Sequence, residues 1–338
     1  MKTFLFSLIS LFMVMSEASS QWVISEIDTK ASFRSIHAVN SKVVWAGGSQ
    51  GTVLKTTNGG ANWIVLKVAG YELLDFRGIY AMSHNVAFIM SAGEAEKAAA
   101  VILKTEDGGV TWKEVFRTFE KGVFLDALKF RNAKVGYVLG DPVGNKPYVL
   151  KTTDGGKSWA RIAPENFPDM KEGEASFAAG NSCLFVLGDN VWFNTQGRVF
   201  VSNDNGGKWE AYQTQFTQGK TSGIFGIYFW SKTDGIAVGG DYVNDKDEYL
   251  NNCKTYDGGK TWFKTNNSVS KGLKEAVGQL PENKLIMVGT TGSNISHDLG
   301  KTWTQFDNES FHTLSCYKTD CWAVGAKGNL GKWKVLKK

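Results

Sequence analysis

The sequence predicts an all-β fold, a single β-propeller of seven four-stranded blades, on three observations. An eight-residue motif with the pattern Ser/Thr-x-Asp/Asn-x-Gly-x-x-Trp occurs six times, with its Asp or Asn at positions 58, 107, 154, 204, 257 and 298. The spacing of about 41 to 53 residues is typical of one propeller blade for each copy. Strand-like segments also remain outside the six repeats, three after the last copy and one, residues 21–26, before the first. We expect these to form a seventh blade, because such closure removes a free sheet edge.

Each copy of the motif has the chemistry of a β-hairpin turn. In Thr152-Thr153-Asp154-Gly155-Gly156-Lys157-Ser158-Trp159, the Asp is expected to accept hydrogen bonds from backbone N–H groups two residues on. Glycine supplies the positive φ of a tight reversal, and Trp begins the next strand and buries a large ring. We therefore predict a structural role for the motif.

The blades follow in chain order from this turn. In each, an apolar first strand such as Phe33-Arg34-Ser35-Ile36 precedes a second strand that usually ends in Gly, a third strand that enters the motif turn, and a fourth that starts at Trp. The predicted spans are 33–68, 76–116, 125–162, 174–212, 224–264, 274–306, and 311–335 with 21–26. In blade four the predicted strands are 174–179, 183–188, 198–202 and 209–212, which leaves Trp192 and Phe193 in a loop, either stacking on a ligand or simply packing.

The repeat resembles the Asp-box, or bacterial neuraminidase repeat. The wider pattern of Phe-Arg-x-Ile, a Gly-ending strand and Lys-Thr-x-Asp-Gly-Gly-x-x-Trp looks like the photosystem II stability/assembly factor-like propellers, over nearly the whole chain after residue 20. The resemblance implies the propeller fold. It leaves function open, because Asp-boxes occur in sialidases, xyloglucanases, sorting receptors and assembly factors alike.

The N-terminus predicts export. An apolar run from Phe4 to Met15 is followed by Ala18-Ser19-Ser20, which reads as a signal peptide of residues 1–20 cleaved after Ser20. We therefore expect a secreted or periplasmic protein whose propeller occupies residues 21–338, without a later transmembrane segment, and a monomer. The formal charge of +5 is spread along the chain, which disfavours nucleic acid as a partner.

The cysteines and histidines predict no metal site and no cofactor. Cys316 and Cys321 flank a four-residue loop and could face each other across a strand pair, as a disulfide or as free thiols. Cys183 and Cys253 are expected to be free and buried. The four histidines show no metal-ligand spacing.

The long loops point to one face of the propeller. Turns between the first and second and between the third and fourth strands lie on one face, here called the bottom. Turns between the second and third strands, and the connections between blades, lie on the other, the top. The insertions at 92–100, 161–173 and 241–250 all belong to the top, where binding residues are expected to concentrate.

A ring of polar residues is predicted at the top of the central channel, one from the start of each first strand. In blade order these are Arg34, Arg77, Asp126, Glu174, Phe225, Lys274 and His312. Lys274, His312, Arg34 and Arg77 form a basic arc opposite Asp126 and Glu174, to which Asp141, Asp189 and Asp241 add carboxylates after second strands. The ring is either a functional site or a self-neutralising set of salt bridges that fills the channel.

Two functions follow from this ring. In the first, the protein is an assembly-factor-like propeller that binds a protein segment or small anionic ligand through Arg34, Arg77, Lys274, His312 and Asp141. In the second, it is a sialidase-like glycoside hydrolase or lyase acting on an anionic glycan, with acid and base drawn from Asp126, Glu174 and Asp241. Binding is favoured, because no Tyr-Glu nucleophile pair of the sialidase type can be assigned.

Overall fold

The computed structural model describes residues 20–247, 250–265 and 271–335, and the predicted signal peptide falls outside them except for Ser20. The described chain forms seven antiparallel four-stranded sheets. Their inner strands pack side by side in succession, and the inner strand of blade seven also contacts that of blade one. The predicted seven-bladed all-β propeller is confirmed.

The strands follow the predicted order, and each blade runs from its inner to its outer strand. The N-terminal strand and the first three blades are β1 (Ser20–Ile24); β2 (Phe33–Ala38), β3 (Val44–Gly48), β4 (Thr52–Thr56), β5 (Ile64–Lys67); β6 (Phe76–Ala81), β7 (Ala87–Ser91), β8 (Val101–Thr105), β9 (Lys113–Arg117); β10 (Leu125–Phe130), β11 (Gly136–Val143), β12 (Lys146–Thr152), β13 (Ala160–Arg161). Blades four to seven are β14 (Leu184–Leu187), β15 (Asn190–Asn194), β16 (Arg198–Ser202), β17 (Glu210–Gln213); β18 (Ser222–Phe229), β19 (Gly235–Asp241), β20 (Asn252–Thr255), β21 (Phe263–Lys264); β22 (Ala276–Leu280), β23 (Lys284–Gly289), β24 (Gly292–Ser296), β25 (Thr304–Asp307); β26 (Thr313–Tyr317), β27 (Asp320–Val324), β28 (Leu330–Val335). Three short 3₁₀ turns lie at Ala95–Lys97, Pro164–Asn166 and Ala326–Gly328. None of the described helical turns is long and apolar enough to cross a bilayer.

The N-terminal strand completes blade seven, as predicted. β1 pairs antiparallel with β28, and Trp22 lies opposite Trp333. The Trp22 ring is 4 % exposed, and its Nε1 donates a hydrogen bond of 2.8 Å to Ser293 Oγ in blade six. Both ends of the described chain are therefore held in one sheet, which also packs against the neighbouring blade.

The repeated motif forms the turn between third and fourth strands, with a different bonding pattern from the one expected. Asp154 Oδ1 accepts from the backbone N–H groups of Lys157 and Ser158, three and four residues on rather than two. Thr152 Oγ1 donates to Asp154 Oδ1 at 2.8 Å and accepts from Gly156 N at 2.9 Å. The hydroxyl and the carboxylate thus organise the turn together, which explains why both residues recur in the motif.

The bottom face is regular in six blades. The residue after each motif Asp or Asn donates its backbone N–H to a carbonyl in the turn between the first and second strands of the same blade. The pairs are Gly59 with Lys42, Gly108 with Asn85, Gly155 with Lys134, Asn205 with Asp189, Gly258 with Thr233, and Leu299 with Asn283. The motif turn therefore locks the two bottom turns of one blade to each other.

Blade four differs from its prediction. The segment predicted as its inner strand, 174–179, is not a strand, and β14 and β15 instead occupy the inner and second positions. Trp192 and Phe193 lie in β15 and are buried, so they pack in the core and do not face a ligand. Asp189 lies in the bottom turn between β14 and β15, where it pairs with Arg131, so its predicted place on the top face is wrong. The apolar pattern of residues 183–188 fits either the inner or the second strand of a blade. The sequence pattern alone therefore did not reveal that this segment is the inner strand.

The cysteines resolve into one disulfide and two buried thiols. Cys316 and Cys321 lie opposite each other in the β26–β27 pair and are bonded, with their Cα atoms 4.1 Å apart. Cys183 and Cys253 are free and fully buried, as predicted.

Candidate functional site at the top of the channel

Four of the predicted ring residues lie at a distinctive point of the inner strands. Arg34, Arg77, Asp126 and Phe225 are each the residue skipped in the register between the first and second strands of their blades. Such a bulge leaves one residue outside the ladder and redirects its side chain. The sequence therefore located the top of the inner strand correctly in blades one, two, three and five.

Arg34 and Arg77 hold a segment that crosses the channel. Arg34 Nη1 donates to the carbonyl of Ala179 at 3.0 Å, and Arg77 Nη1 donates to that of Ala178 at 3.3 Å. Arg77 also pairs through Nε with Asp75 at 2.7 Å. Both acceptor carbonyls belong to the connection between blades three and four, and we call residues 173–182 the crossing segment.

The crossing segment contacts blades on several sides of the channel. Asn181 Oδ1 accepts from Leu128 N at 2.8 Å, and its Nδ2 donates to Ile79 O at 3.3 Å. Ser182 Oγ donates to the Glu275 carbonyl at 2.7 Å, which reaches blade six. A Cβ on Gly180 would lie 2.6 Å from the carbonyl oxygen of His312, so only glycine permits this close approach to blade seven. The segment that replaces the predicted inner strand therefore spans the channel.

Glu174 belongs to this segment and is not a member of the ring. Its side chain is fully buried and forms a bidentate ion pair with Arg198 of β16, with Arg198 Nε 2.8 Å from Oε1. Thr195 Oγ1 donates to the same oxygen. Burial raises the pKa of Glu174, but the bonds from Arg198, Thr195 and the Lys171 backbone outweigh it, so the pKa lies below its usual value. Glu174 is thus an ionised anchor of the crossing segment.

Blade six places Glu275 near the ring in place of Lys274. Lys274 is fully buried, and its ammonium donates to Thr291 Oγ1 at 3.0 Å and Gly292 O at 3.1 Å within its own blade. The next residue, Glu275, lies 2.7 Å from Nδ1 of His312, and its charge also acts on Arg34. Lys274 occupies the position that directly precedes the ring residue, where other blades have an apolar residue such as Phe33 or Phe76. The predicted alignment of blade six was therefore wrong by one residue.

Two carboxyl groups of blade three form an acid pair beside Arg77. Asp126 is 1 % exposed, and burial together with the nearby Asp141 raises its pKa well above the usual value, although Arg77 opposes the shift. Burial also raises the pKa of Asp141 to about 6. Asp126 Oδ2 and Asp141 Oδ1 are buried without a hydrogen-bond partner among the described residues. The pair is therefore expected to carry a proton near neutral pH, because two buried carboxylates disfavour joint ionisation.

Asp241 is held by the loop that it starts. Its Oδ1 accepts from the backbone N–H groups of Val243 at 2.8 Å and Asn244 at 3.3 Å. Burial raises its pKa, but these bonds outweigh it and the pKa is lowered. Asp241 therefore remains ionised and organises the top loop of blade five.

An aromatic patch lies next to the crossing segment. Phe177 stacks on Phe225 with ring centroids 4.3 Å apart, and Tyr242 meets Phe177 edge-on at 5.9 Å. Tyr242 and Val243 are 53 % and 63 % exposed. Leu73 and Phe119 are also exposed, in the top connections that precede blades two and three. The top face thus combines half-buried arginines with exposed apolar side chains.

A groove of about 520 Å³ lies beside the acid pair. It is lined on one side by Asp141 and Pro142 and on the other by Met170, Lys171 and Glu172. Within the described residues, no group of three or more His, Cys, Asp or Glu side chains is placed to hold a metal ion.

Comparison with known proteins agrees with this architecture, although no family model matches the chain. The chain is 28 % identical over 244 residues to the photosystem II assembly lipoprotein Ycf48 of Synechococcus sp. (strain CC9902), a match that covers 68 % of this chain and 65 % of that protein. The match thus spans slightly less than two thirds of the relative's length.

Several solved structures share the fold. The structure described as YCF48 bound to D1 peptide superposes with a TM-score of 0.65 at 14 % identity, over 94 % of this chain and 95 % of that one. YCF48 from Cyanidioschyzon merolae gives 0.62 at 15 % identity, over 93 % and 98 %. The WD40 propeller domain of Doa1 gives 0.62 at 11 % identity, over 94 % and 98 %, so these structural likenesses show the fold alone. Sequence and fold together confirm the resemblance of this chain to the photosystem II assembly factors of the Ycf48 type.

Proposed function

We propose that this propeller is an exported, monomeric assembly-factor-like protein that binds a segment of another protein across its top face. The observation that carries the proposal is the pair Arg34 and Arg77, half-buried side by side over the crossing segment. Among the described residues Arg34 forms no ion pair and donates to a backbone carbonyl, so most of its five N–H donors remain for a ligand.

The electrostatics of Arg34 support an anionic group on the ligand. Burial and the neighbouring Arg77 lower the pKa of Arg34, while Glu275 and Asp75 oppose the shift. A half-desolvated guanidinium gains more from a carboxylate than a fully solvated one does, because the local dielectric is lower. The exposed Tyr242 and Val243 add an apolar surface for neighbouring side chains of the segment. The D1 peptide in the description of a solved YCF48 structure shows that a propeller of this fold can take a peptide.

Affinity for peptides tests the proposal. A peptide-library screen on the wild type would supply the probe, and its Kd would be compared in Arg34→Ala and Arg77→Ala. Loss of one charge-assisted hydrogen bond is expected to weaken binding about ten- to a hundredfold. Arg34→Lys should restore little of the affinity for the peptide, because an ammonium lacks the planar fork of guanidinium.

Arg131→Ala is the matched control, since it removes the same charge from the bottom face, where Arg131 pairs with Asp189. If Arg34→Ala and Arg77→Ala stay folded and bind like the wild type, the two arginines serve only to hold the crossing segment. N-terminal sequencing of the exported protein tests cleavage after Ser20, and light scattering tests the monomer.

The second candidate function is hydrolysis or elimination on an anionic glycan. Asp126 supports it, since a buried carboxyl with a raised pKa is the type of group that serves as a general acid. Glu174 and Asp241 support it less, because both are bound by structural partners. A glycan array followed by turnover assays separates the two functions: Asp126→Asn would abolish turnover and keep binding in an enzyme, whereas a binding module has no turnover to lose.

A further inference from the structure

A partly enclosed cavity of about 140 Å³ lies in the channel below the crossing segment. Its walls include Asn181 and Ser182 of that segment, and His37, Lys129, Tyr228 and Gln279 from the inner strands. The volume corresponds to roughly five water molecules at about 30 Å³ each. The cavity is separate from the top-face residues of the proposed function.

The cavity contains an ammonium group without a partner. Across residues 20–247, 250–265 and 271–335, Lys129 takes part in no hydrogen bond, ion pair or cation–π contact. Burial lowers its pKa to about 8. Lys129 is only partly buried, and its ammonium has no counter-charge among the described residues. A partly desolvated ammonium attracts an anion more strongly than a fully solvated one does, because the local dielectric is lower.

The other titratable groups around the cavity are neutral near pH 7. Burial and the charge of Lys129 lower the pKa of His37 to about 3. The pKa of Tyr228 is raised by burial to about 12, and burial keeps the thiol of nearby Cys183 protonated by raising its pKa. Cys316, also in the wall, is in the disulfide. The described residues around the cavity therefore contribute one positive charge and no negative one.

Two neutral hydrogen-bond donors line the cavity besides the ammonium. His37 Nδ1 accepts from Ala81 N at 3.2 Å, so the ring proton of the neutral imidazole is on Nε2. The Tyr228 hydroxyl points to Gln279 Oε1 at 3.5 Å, which leaves the Gln279 amide N–H₂ as a donor. Together with the ammonium, these groups suit an acceptor-only ligand.

A neighbouring cavity lies towards the bottom face. A second cavity of about 340 Å³ is lined by the bottom turns of blades one to three, at Val39, Met82 and Asn132. It shares His37 with the channel cavity, and this ring stacks on Tyr80 at 4.2 Å. The two cavities are therefore adjacent across the His37 ring.

We propose that the channel cavity binds a small monovalent carboxylate, held by the Lys129 ammonium and by N–H donors of His37 and Gln279. One ammonium neutralises one negative charge, so a monoanion leaves the site neutral. A divalent oxyanion such as sulfate would leave an uncompensated buried charge, which is strongly unfavourable.

Thermal unfolding with acetate as the probe tests the site. Melting temperatures would be measured at pH 7 in acetate and in sulfate of equal ionic strength, for the wild type, Lys129→Met and Lys134→Met. Lys134 lies exposed in the bottom turn of the same blade and gives the matched loss of charge. A ligand that binds only the folded state raises the melting temperature with a saturable dependence on its concentration.

We expect acetate to give a saturable rise beyond that in sulfate for the wild type and Lys134→Met, and no such rise for Lys129→Met. Lys129→Met should melt no lower than the wild type without acetate, since it removes an unpaired charge. The proposal is overturned if Lys129→Met responds to acetate like the wild type, or if sulfate matches acetate in every variant, which is an ordinary salt effect.

Carbamylation by cyanate gives a second readout on the unmutated protein. A lysine with a lowered pKa reacts faster, because more of it is the neutral amine. Peptide mapping by mass spectrometry should show that saturating acetate slows modification of Lys129 at least about threefold and leaves Lys134 unchanged. Equal rates at Lys129 with and without acetate would contradict binding there.

Discussion

Aspartates on the two faces of the propeller have pKa values that are shifted in opposite directions. On the bottom face, hydrogen bonds from the side chain and backbone of Thr111 lower the pKa of Asp107 to about 2. Asp154, Asp257 and Asp298 likewise accept from a backbone N–H and a hydroxyl four residues on. Asp204 accepts only the backbone N–H at that position, because residue 208 is a lysine. On the top face, burial raises the pKa of Asp141 to about 6 and raises that of Asp126 well above its usual value.

This difference in pKa distinguishes aspartates with a structural role from those that are candidates for a functional site. The bottom carboxylates are solvated and satisfied, and their repetition reflects a turn that every blade needs. On the top face, Asp126 and Asp141 of blade three each keep one buried oxygen that has no hydrogen-bond partner among the described residues. Strained ionisable groups of this kind commonly cluster at functional sites. The repeated motif therefore identifies structural residues, and residues that depart from the repeat are the candidates for the functional site.

The largest loss of stability is expected from removing β1, because this strand completes blade seven. Deleting residues 21–28 removes β1 and exposes the edge of blade seven along β28. Loss of the Trp22 side chain alone costs about 3–5 kcal/mol, and the lost ladder adds to this. Calorimetry of the deletion and of Trp22→Ala should show a large fall in melting temperature for both, larger for the deletion. An unchanged melting curve would contradict closure by this strand.

Ion pairs on the two faces should differ in how much they contribute to the free energy of unfolding. Arg198→Met leaves Glu174 buried and unpaired on the top side, which is expected to cost about 3–5 kcal/mol. Arg131→Met breaks the exposed bottom pair with Asp189, which is expected to cost about 0–1 kcal/mol. Urea unfolding of both variants measures the contrast. Similar losses in the two would mean that Glu174 does not anchor the crossing segment.

The two faces should also respond to pH with opposite sign. Asp141 has a folded pKa of about 6 against about 3.9 when unfolded, so the folded state binds more protons and stability falls as pH rises from about 4 to 6. Asp141→Asn should remove this fall in stability, which amounts to about 3 kcal/mol. Asp107 has a depressed pKa, so its contribution is present above about pH 4 and is lost as pH falls towards 2. Stability profiles of wild type, Asp141→Asn and Asp107→Asn over pH 2–7 would reveal the contrast, and identical wild-type and Asp141→Asn profiles would refute the first assignment.

The smallest effects belong to single motif turns. Asp154→Ala loses local hydrogen bonds and should cost about 1 kcal/mol without affecting ligand affinity. Asp154→Asn should cost less, because Asn58 forms the equivalent bonds with Asn62 N and Thr56 Oγ1 in blade one. Urea titration gives the stabilities, and a folded Asp154→Ala protein that fails to bind the peptide would overturn the structural role.

Sequence periodicity predicted most of the fold because the motif turn repeats and punctuates every blade but the last. Closure by residues 21–26 followed from counting unpaired strands. Blade four was misread because two segments of small and apolar residues, 174–179 and 183–188, both fit an inner strand by pattern, and the choice between them depends on the path of the crossing segment. Glu275 and Lys129 were missed, since alternation predicts which face a side chain takes but not which partners the neighbouring blades provide.

The closure of blade seven also has a consequence for the order of folding. Trp22 bonds to Ser293, 271 residues away along the chain, and its strand pairs with the last strand described. Contacts of such high sequence separation form late, because the intervening chain must first be ordered. During synthesis, β1 therefore remains without its partner until β28 has been made. The ring can close only after the final blade exists, so truncation near the C-terminus should expose two unpaired strand edges at once.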